Sequence, residues 1–106
     1  MSRDGDVCGV PIRMRVYARQ GELLVAAADD DLLGKIFREG QLRLEISDFY
    51  AGEVVSEADL VAQVRDCTMG NFVGEETVSA CLRAGLVSED GVMRIQGIPH
   101  AQLYMM

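Results

Sequence analysis

The stretch SEADLVAQVRDCTMGNFVGEETVSACLRAGLV, residues 56–87, decides how this chain is read. Leu60, Val61, Val64 and Cys67 recur at helical spacing, and Ser56 with Asp59 forms a capping-box-like start. Val78, Cys81 and Leu82 mark one face of a second helix over residues 74–84. Gly85 follows as a residue suited to a left-handed cap, with Leu86 or Val87 as its apolar contact. Between them, Thr68 to Gly74 reads as a breaker-rich turn, so the two helices are expected to form an αα-hairpin. Asn71 is placed to help cap the second helix.

Working outward toward the N-terminus, the pattern changes from helical to period two. Ile12, Met14, Val16 and Ala18 alternate with Arg13, Arg15, Tyr17 and Arg19, which predicts a strand with one wet, basic face. Arg19-Gln20-Gly21-Glu22 turns the chain into the apolar run Leu23–Ala28, the second strand of a hairpin. Asp29-Asp30-Asp31 then precedes Leu32, Leu33, Ile36 and Phe37, which fit one face of a short helix capped by acid. A tri-Asp run can also hold a cation, but carboxylates ahead of a helix more commonly cap it. Leu42, Leu44 and Ile46 predict a third strand, and Asp48–Val55 a loop with a short strand at its end.

Toward the C-terminus, residues 92–95 and 101–105 read as two strands joined by Gln96-Gly97-Ile98-Pro99-His100. The expected fold class is therefore α+β. It has a mixed or antiparallel sheet of about five strands, two main helices and one short helix. Residues 1–11 are expected to be a flexible tail and 12–106 a single domain, since 106 residues suffice for one core.

Composition narrows the function classes. The formal charge of −7 repels a phosphate backbone at long range, and the scarce basic charge is almost all arginine. No stretch is long and apolar enough to be a membrane helix or a signal h-region. Three cysteines, Cys8, Cys67 and Cys81, form no CxxC and fit a reducing, cytoplasmic setting. No phosphate loop, nucleophile elbow, dinucleotide fingerprint or zinc signature is present, so no cofactor is expected.

Four constellations carry candidate chemistry. Gly70-Asn71-Phe72-Val73-Gly74 resembles the turn of a helix-hairpin-helix module, but Glu75 and Glu76 stand where an anion site wants neutral or basic groups. Lys35 and Arg38, with Arg43, form a basic patch if they lie beside Arg13, Arg15, Arg19 and Tyr17. Phe49 and Tyr50 are adjacent loop aromatics that either anchor a partner or fold back over the sheet. His100, the single histidine, stands near Gln102 in the last hairpin.

Taken in order, LLGKIFREGQLRLEIS (32–47), FYAGE (49–53), NFVGEETV (71–78) and GIPHAQ (97–102) resemble an archaeal family, domain-of-unknown-function family four-hundred-twenty-four. The resemblance runs from about Arg13 to Tyr104. It implies a small archaeal cytosolic protein with no assigned activity and a loose association with translation and RNA. By motif it marks Lys35, Arg38 and Glu39, then Phe49, Tyr50 and Glu53, then Asn71, Gly74 and Glu75, and finally His100 and Gln102.

Three functions compete on these grounds. The first is a non-enzymatic module that contacts RNA or a ribonucleoprotein through Lys35, Arg38 and the Arg13/Arg15/Arg19 face. The second is an interaction or assembly domain that self-associates through the apolar C-terminal strand Leu103–Met106. The third, a small hydrolase or transferase, requires Glu39, Glu75, His100 and Lys35 to converge in one pocket.

Overall fold

The period-two alternation at the start of the chain forms a strand, but burial follows it only at its start: Ile12 is buried, whereas Val16 and Ala18, expected on the core face, are exposed along with Arg15 and Arg19. The strand β1 (Ile12–Arg19) pairs antiparallel with β2 (Glu22–Asp29) across the turn Gln20–Gly21. The computed structural model describes residues 9–104. Most of the expected flexible tail, including Cys8, lies outside the described residues, as do Met105 and Met106.

Among the described residues the chain forms eight strands and two α-helices. After β2 come β3 (Ile36–Glu39), β4 (Leu42–Glu45) and β5 (Glu53–Val55). Helix α1 (Glu57–Arg65), β6 (Met69–Val73), α2 (Glu75–Arg83), β7 (Met93–Ile95) and β8 (Ile98–Tyr104) complete the chain. The main sheet has six strands in the order β5-β1-β2-β6-β8-β7, and β3–β4 is a separate two-stranded hairpin. The expected sheet of about five strands is corrected accordingly.

The largest correction is at the centre. Thr68 to Gly74 is not a helix–helix turn: Met69–Val73 forms β6, parallel to β2 and antiparallel to β8. The two helices are therefore crossover elements on one face of the sheet, not an αα-hairpin. The strand escapes a periodicity reading because Gly70 and Asn71 have little β propensity. Burial dictates Gly70, since a Cβ there would come within 2.4 Å of the Phe72 ring lying over it. Phe72 and Val73 are both fully buried, one toward each face of the sheet.

The expected short helix after Asp29 is also replaced. Asp30–Leu32 makes a single 3-10 turn, Gly34 takes φ +85°, and Ile36–Glu39 continues as β3. β-branched Ile36 and aromatic Phe37 favour that strand, and the left-handed glycine ends any helix before it starts. Asp29 is nevertheless a cap, for a different helix. Its buried carboxylate accepts from the Thr77 amide at 2.9 Å, the Thr77 hydroxyl at 2.8 Å and the Glu76 amide at 3.1 Å. It satisfies the exposed N–H groups of α2 from another strand. Gly74, at φ +107°, precedes α2 so closely that a Cβ would meet the Asp29 carboxyl carbon at 2.4 Å.

Two cores result. On the helix face Val25, Ala27 and Phe72 pack against Leu60, Val64, Val78 and Cys81. Cys67 and Cys81, both read as core residues from spacing, are buried there as free thiols. On the opposite face Ala26, Ala28 and Val73 meet Leu44, Ile46 and Tyr50, so β3–β4 and the 3-10 turn Asp48–Tyr50 form a second cover. Glu39 fastens this cover by accepting from the Gln96 amide at 2.7 Å, while the Gln96 side chain donates to the Arg38 carbonyl.

The last hairpin is tighter than expected. Its connection is only Gln96–Gly97, with φ +53° and +80°, the pattern of a two-residue type I′ turn. Ile98–His100 thereby joins β8 instead of the loop.

Candidate functional site

Register places the polar candidates on the face that the β3–β4 hairpin partly covers. Arg15 stands opposite Ala26, Ala26 opposite Asn71, and Asn71 opposite Gln102. In the neighbouring rows, Val73 stands opposite His100, and Met69 opposite Tyr104. Arg13, Arg15, Tyr17, Asn71, His100, Gln102 and Tyr104 therefore share one side of the sheet. Gln102 donates to the Asn71 side-chain oxygen at 2.9 Å, so Asn71 supports the sheet surface and does not cap α2.

At the β1 edge the groups are bound to one another. Arg13 donates to the Gly52 carbonyl at 2.6 Å and to Asp30 at 2.7 Å, which ties the loop to the sheet. Tyr17 stacks on Phe49 with ring centroids 5.0 Å apart, and the Arg15 guanidinium lies 5.4 Å from the Tyr17 centroid. The Tyr17 hydroxyl donates to the Phe49 carbonyl at 2.8 Å. Phe49 and Tyr50 meet edge to face, and both fold back over the sheet. With Phe49 on its ring and its hydroxyl bonded, Tyr17 has little left to offer a ligand.

Lys35 and Arg38 are exposed, but they belong to the hairpin cover. The Arg38 backbone is bonded to Gln96 in the β7–β8 turn, at the sheet edge opposite β1. The structure thus separates Arg38 from Arg13, Arg15 and Arg19. Arg43 pairs across the hairpin with Arg38 and forms an ion pair with Glu45 at 3.1 Å.

The proposed catalytic convergence is absent among the described residues. Glu39 serves the Gln96 amide, Glu75 pairs with Arg94 at 3.1 Å, and no described cavity is lined by more than one of Lys35, Glu39, Glu75 and His100. Among the described residues no group of three metal-ligating side chains stands together, and the three aspartates go separate ways. No described helix is long and apolar enough to cross a membrane.

His100 and Gln102 do face a cavity. With Tyr104 they line a groove of about 390 Å³ whose other walls are Leu42, Arg43, Gly91, Met93 and Ile95. Tyr104 is 62 % exposed, Met93 50 % and Leu42 44 %, so three large apolar surfaces meet water in one place. Burial lowers the His100 imidazole below its usual range by disfavouring the charged form. Tyr104, Met93 and Leu42 were not singled out as site residues from sequence. The readable signal was the alternation His100, Gln102, Tyr104 along one strand.

The groove lies beside an unfinished edge. In a two-residue hairpin the residues flanking the turn exchange both backbone bonds. Ile98, His100, Gln102 and Tyr104 therefore direct N–H and C=O toward the β7 side. β7 ends at Met93, opposite His100. Among the described residues no strand faces Gln102 and Tyr104 on that side.

Comparison with known proteins fits this geometry to a lineage. A family model described as "Protein of unknown function (DUF424)" matches residues 17–106. The crystal structure of an uncharacterized conserved protein from Methanopyrus kandleri is similar, with a TM-score of 0.76 and 26 % identity. The match covers 92 % of this chain and 93 % of that one. No curated protein matches significantly.

Proposed function

The chain belongs to the DUF424 family, and from that premise we propose that it is a non-enzymatic protein-interaction module that receives an extended polypeptide segment along β8. One observation carries this reading: the edge at Gln102 and Tyr104, unpaired among the described residues, adjoins a groove with exposed Tyr104, Met93 and Leu42. Strand addition needs both parts. Backbone groups supply affinity and the adjoining pocket selects side chains. An open sheet edge is also a hazard unless something covers it.

Selection of binders from a random displayed peptide library tests this proposal. Enriched peptides are expected to lose binding to Met93→Asp and Tyr104→Asp proteins that keep native thermal melting. Failure to enrich any peptide, or binders indifferent to both variants, would sink it.

A second reading is contact with RNA or a ribonucleoprotein in the cytoplasm. It is favoured by exposed Arg15 and by the Asn71–Gln102 amides on the same face. That reading predicts binding of single-stranded RNA that weakens steeply with salt and is reduced by Arg15→Ala and by Lys35→Ala/Arg38→Ala. Absence of binding at low salt removes it.

A further inference from the structure

The strand-addition reading leaves the occupant of the edge open, and the charge distribution bears on it. The groove is lined at one end by Gly91, which follows exposed Glu89 and Asp90 in the 3-10 turn Glu89–Gly91. Its one cationic wall, Arg43, is paired with Glu45. The whole chain carries −7. Opposite charge on a partner is drawn in at long range and then held at the rim.

These facts separate the possible occupants. A second copy pairing β8 to β8 brings another −7 and, between Ile98 and Tyr104, neither lysine nor arginine to meet Glu89 and Asp90. A nucleic acid brings phosphates to a molecule of charge −7. A basic polypeptide segment meets neither obstacle. A strand laid against Gln102 and Tyr104 continues the column of β7, so a side chain facing the groove there sits one row beyond Met93. That place is apolar, between Met93, Leu42 and Tyr104.

We infer that the β8 edge takes an extended, Lys/Arg-bearing segment of a different protein, with one apolar side chain in the groove and basic residues facing Glu89 and Asp90. This inference rests on the strand-addition reading, and the experiment separates the two.

Labelled synthetic peptides alternating lysine and valine around a central phenylalanine are titrated into the protein, followed by fluorescence anisotropy at low and high salt. Peptides with glutamate for lysine, a proline-interrupted lysine peptide of equal charge, and oligouridine serve as comparisons. Amide hydrogen exchange of the unmutated protein is read at Gln102 and Tyr104. The expected result is salt-sensitive binding of the lysine peptide alone, with slowed exchange at both amides. Glu89→Lys/Asp90→Lys is expected to weaken the lysine peptide by about tenfold and to admit the glutamate peptide.

If both peptides bind alike, slow exchange at Gln102 and Tyr104 and ignore the charge reversal, the basic-partner inference fails while strand addition stands. If no peptide changes exchange at those amides, both fail. Oligouridine binding would then assign the surface to RNA, and a dimer in sedimentation would assign the edge to a second copy.

Discussion

Asp29 does the work of a helix cap from a strand 47 and 48 residues away in sequence from the amides it accepts. Its replacement by alanine leaves the Thr77 and Glu76 amides of α2 without their acceptor. The expected loss is about 1–2 kcal/mol in urea unfolding, the usual size of a lost cap. Gly74→Ala is expected to cost at least as much, because the new methyl group strikes the same carboxylate and φ +107° is unfavourable for alanine. If either variant unfolds at the wild-type urea midpoint, the cap is not holding α2. His100 sets a pH dependence. Burial lowers its folded-state pKa below the ordinary 6.5, so the unfolded chain takes up the proton first as pH falls. Its contribution to stability is complete above about pH 6.5 and declines as acid carries the pH toward the lowered value. His100→Gln should flatten that part of the urea-midpoint curve. An unchanged slope would mean that the imidazole titrates as freely folded as unfolded. Burial likewise pushes the Cys81 thiol up to about 12. A Cys8→Ser protein is therefore expected to resist thiol-disulfide reagents when native and to react only on unfolding.

Elements show where sequence reading succeeds. The first hairpin, the cap at Ser56 and the extent of α2 were legible, while the aromatics Phe49 and Tyr50 were left between two outcomes. In the first three a local signal and the tertiary fold agree. β6 was not legible, because its five residues include Gly70 and Asn71, which have little strand propensity, and its Gly70 answers to the Phe72 ring. The three aspartates were read as a cap, correctly in kind and wrongly in address, since nothing local reveals an acceptor for amides at 76 and 77. Of the site, His100 and Gln102 were marked by the family motif, with His100 read as part of the connecting loop, whereas the groove was not legible, because Leu42 arrives from the separate hairpin. That hairpin is fastened at the Glu39–Gln96 contact, so Glu39→Ala is expected to speed amide exchange in β3 and β4 while β2 and β6 stay slow. Equal acceleration everywhere would mean that the cover is not a separate unit.

At the scale of the molecule, the sheet is six strands wide at one end and four at the other. β5 pairs with β1 only as far as Met14, and β7 pairs with β8 only over Ile98–His100. Among the described residues the two bare stretches, Val16–Ala18 on β1 and Gln102–Tyr104 on β8, therefore lie on opposite borders of the same narrow end. In the language of polymer chemistry this is a bifunctional monomer: joining the first border of one molecule to the second border of the next leaves a free border at each end, and growth has no geometric stop. Mutual repulsion is then the terminator. Near the sequence pI of about 4.5 that terminator vanishes, and light scattering should rise with ordered, ribbon-like growth. Proline at Val16 or at Gln102 caps one border and should leave only short oligomers. Amorphous precipitate, equally abundant in both proline variants, would show that the borders play no part.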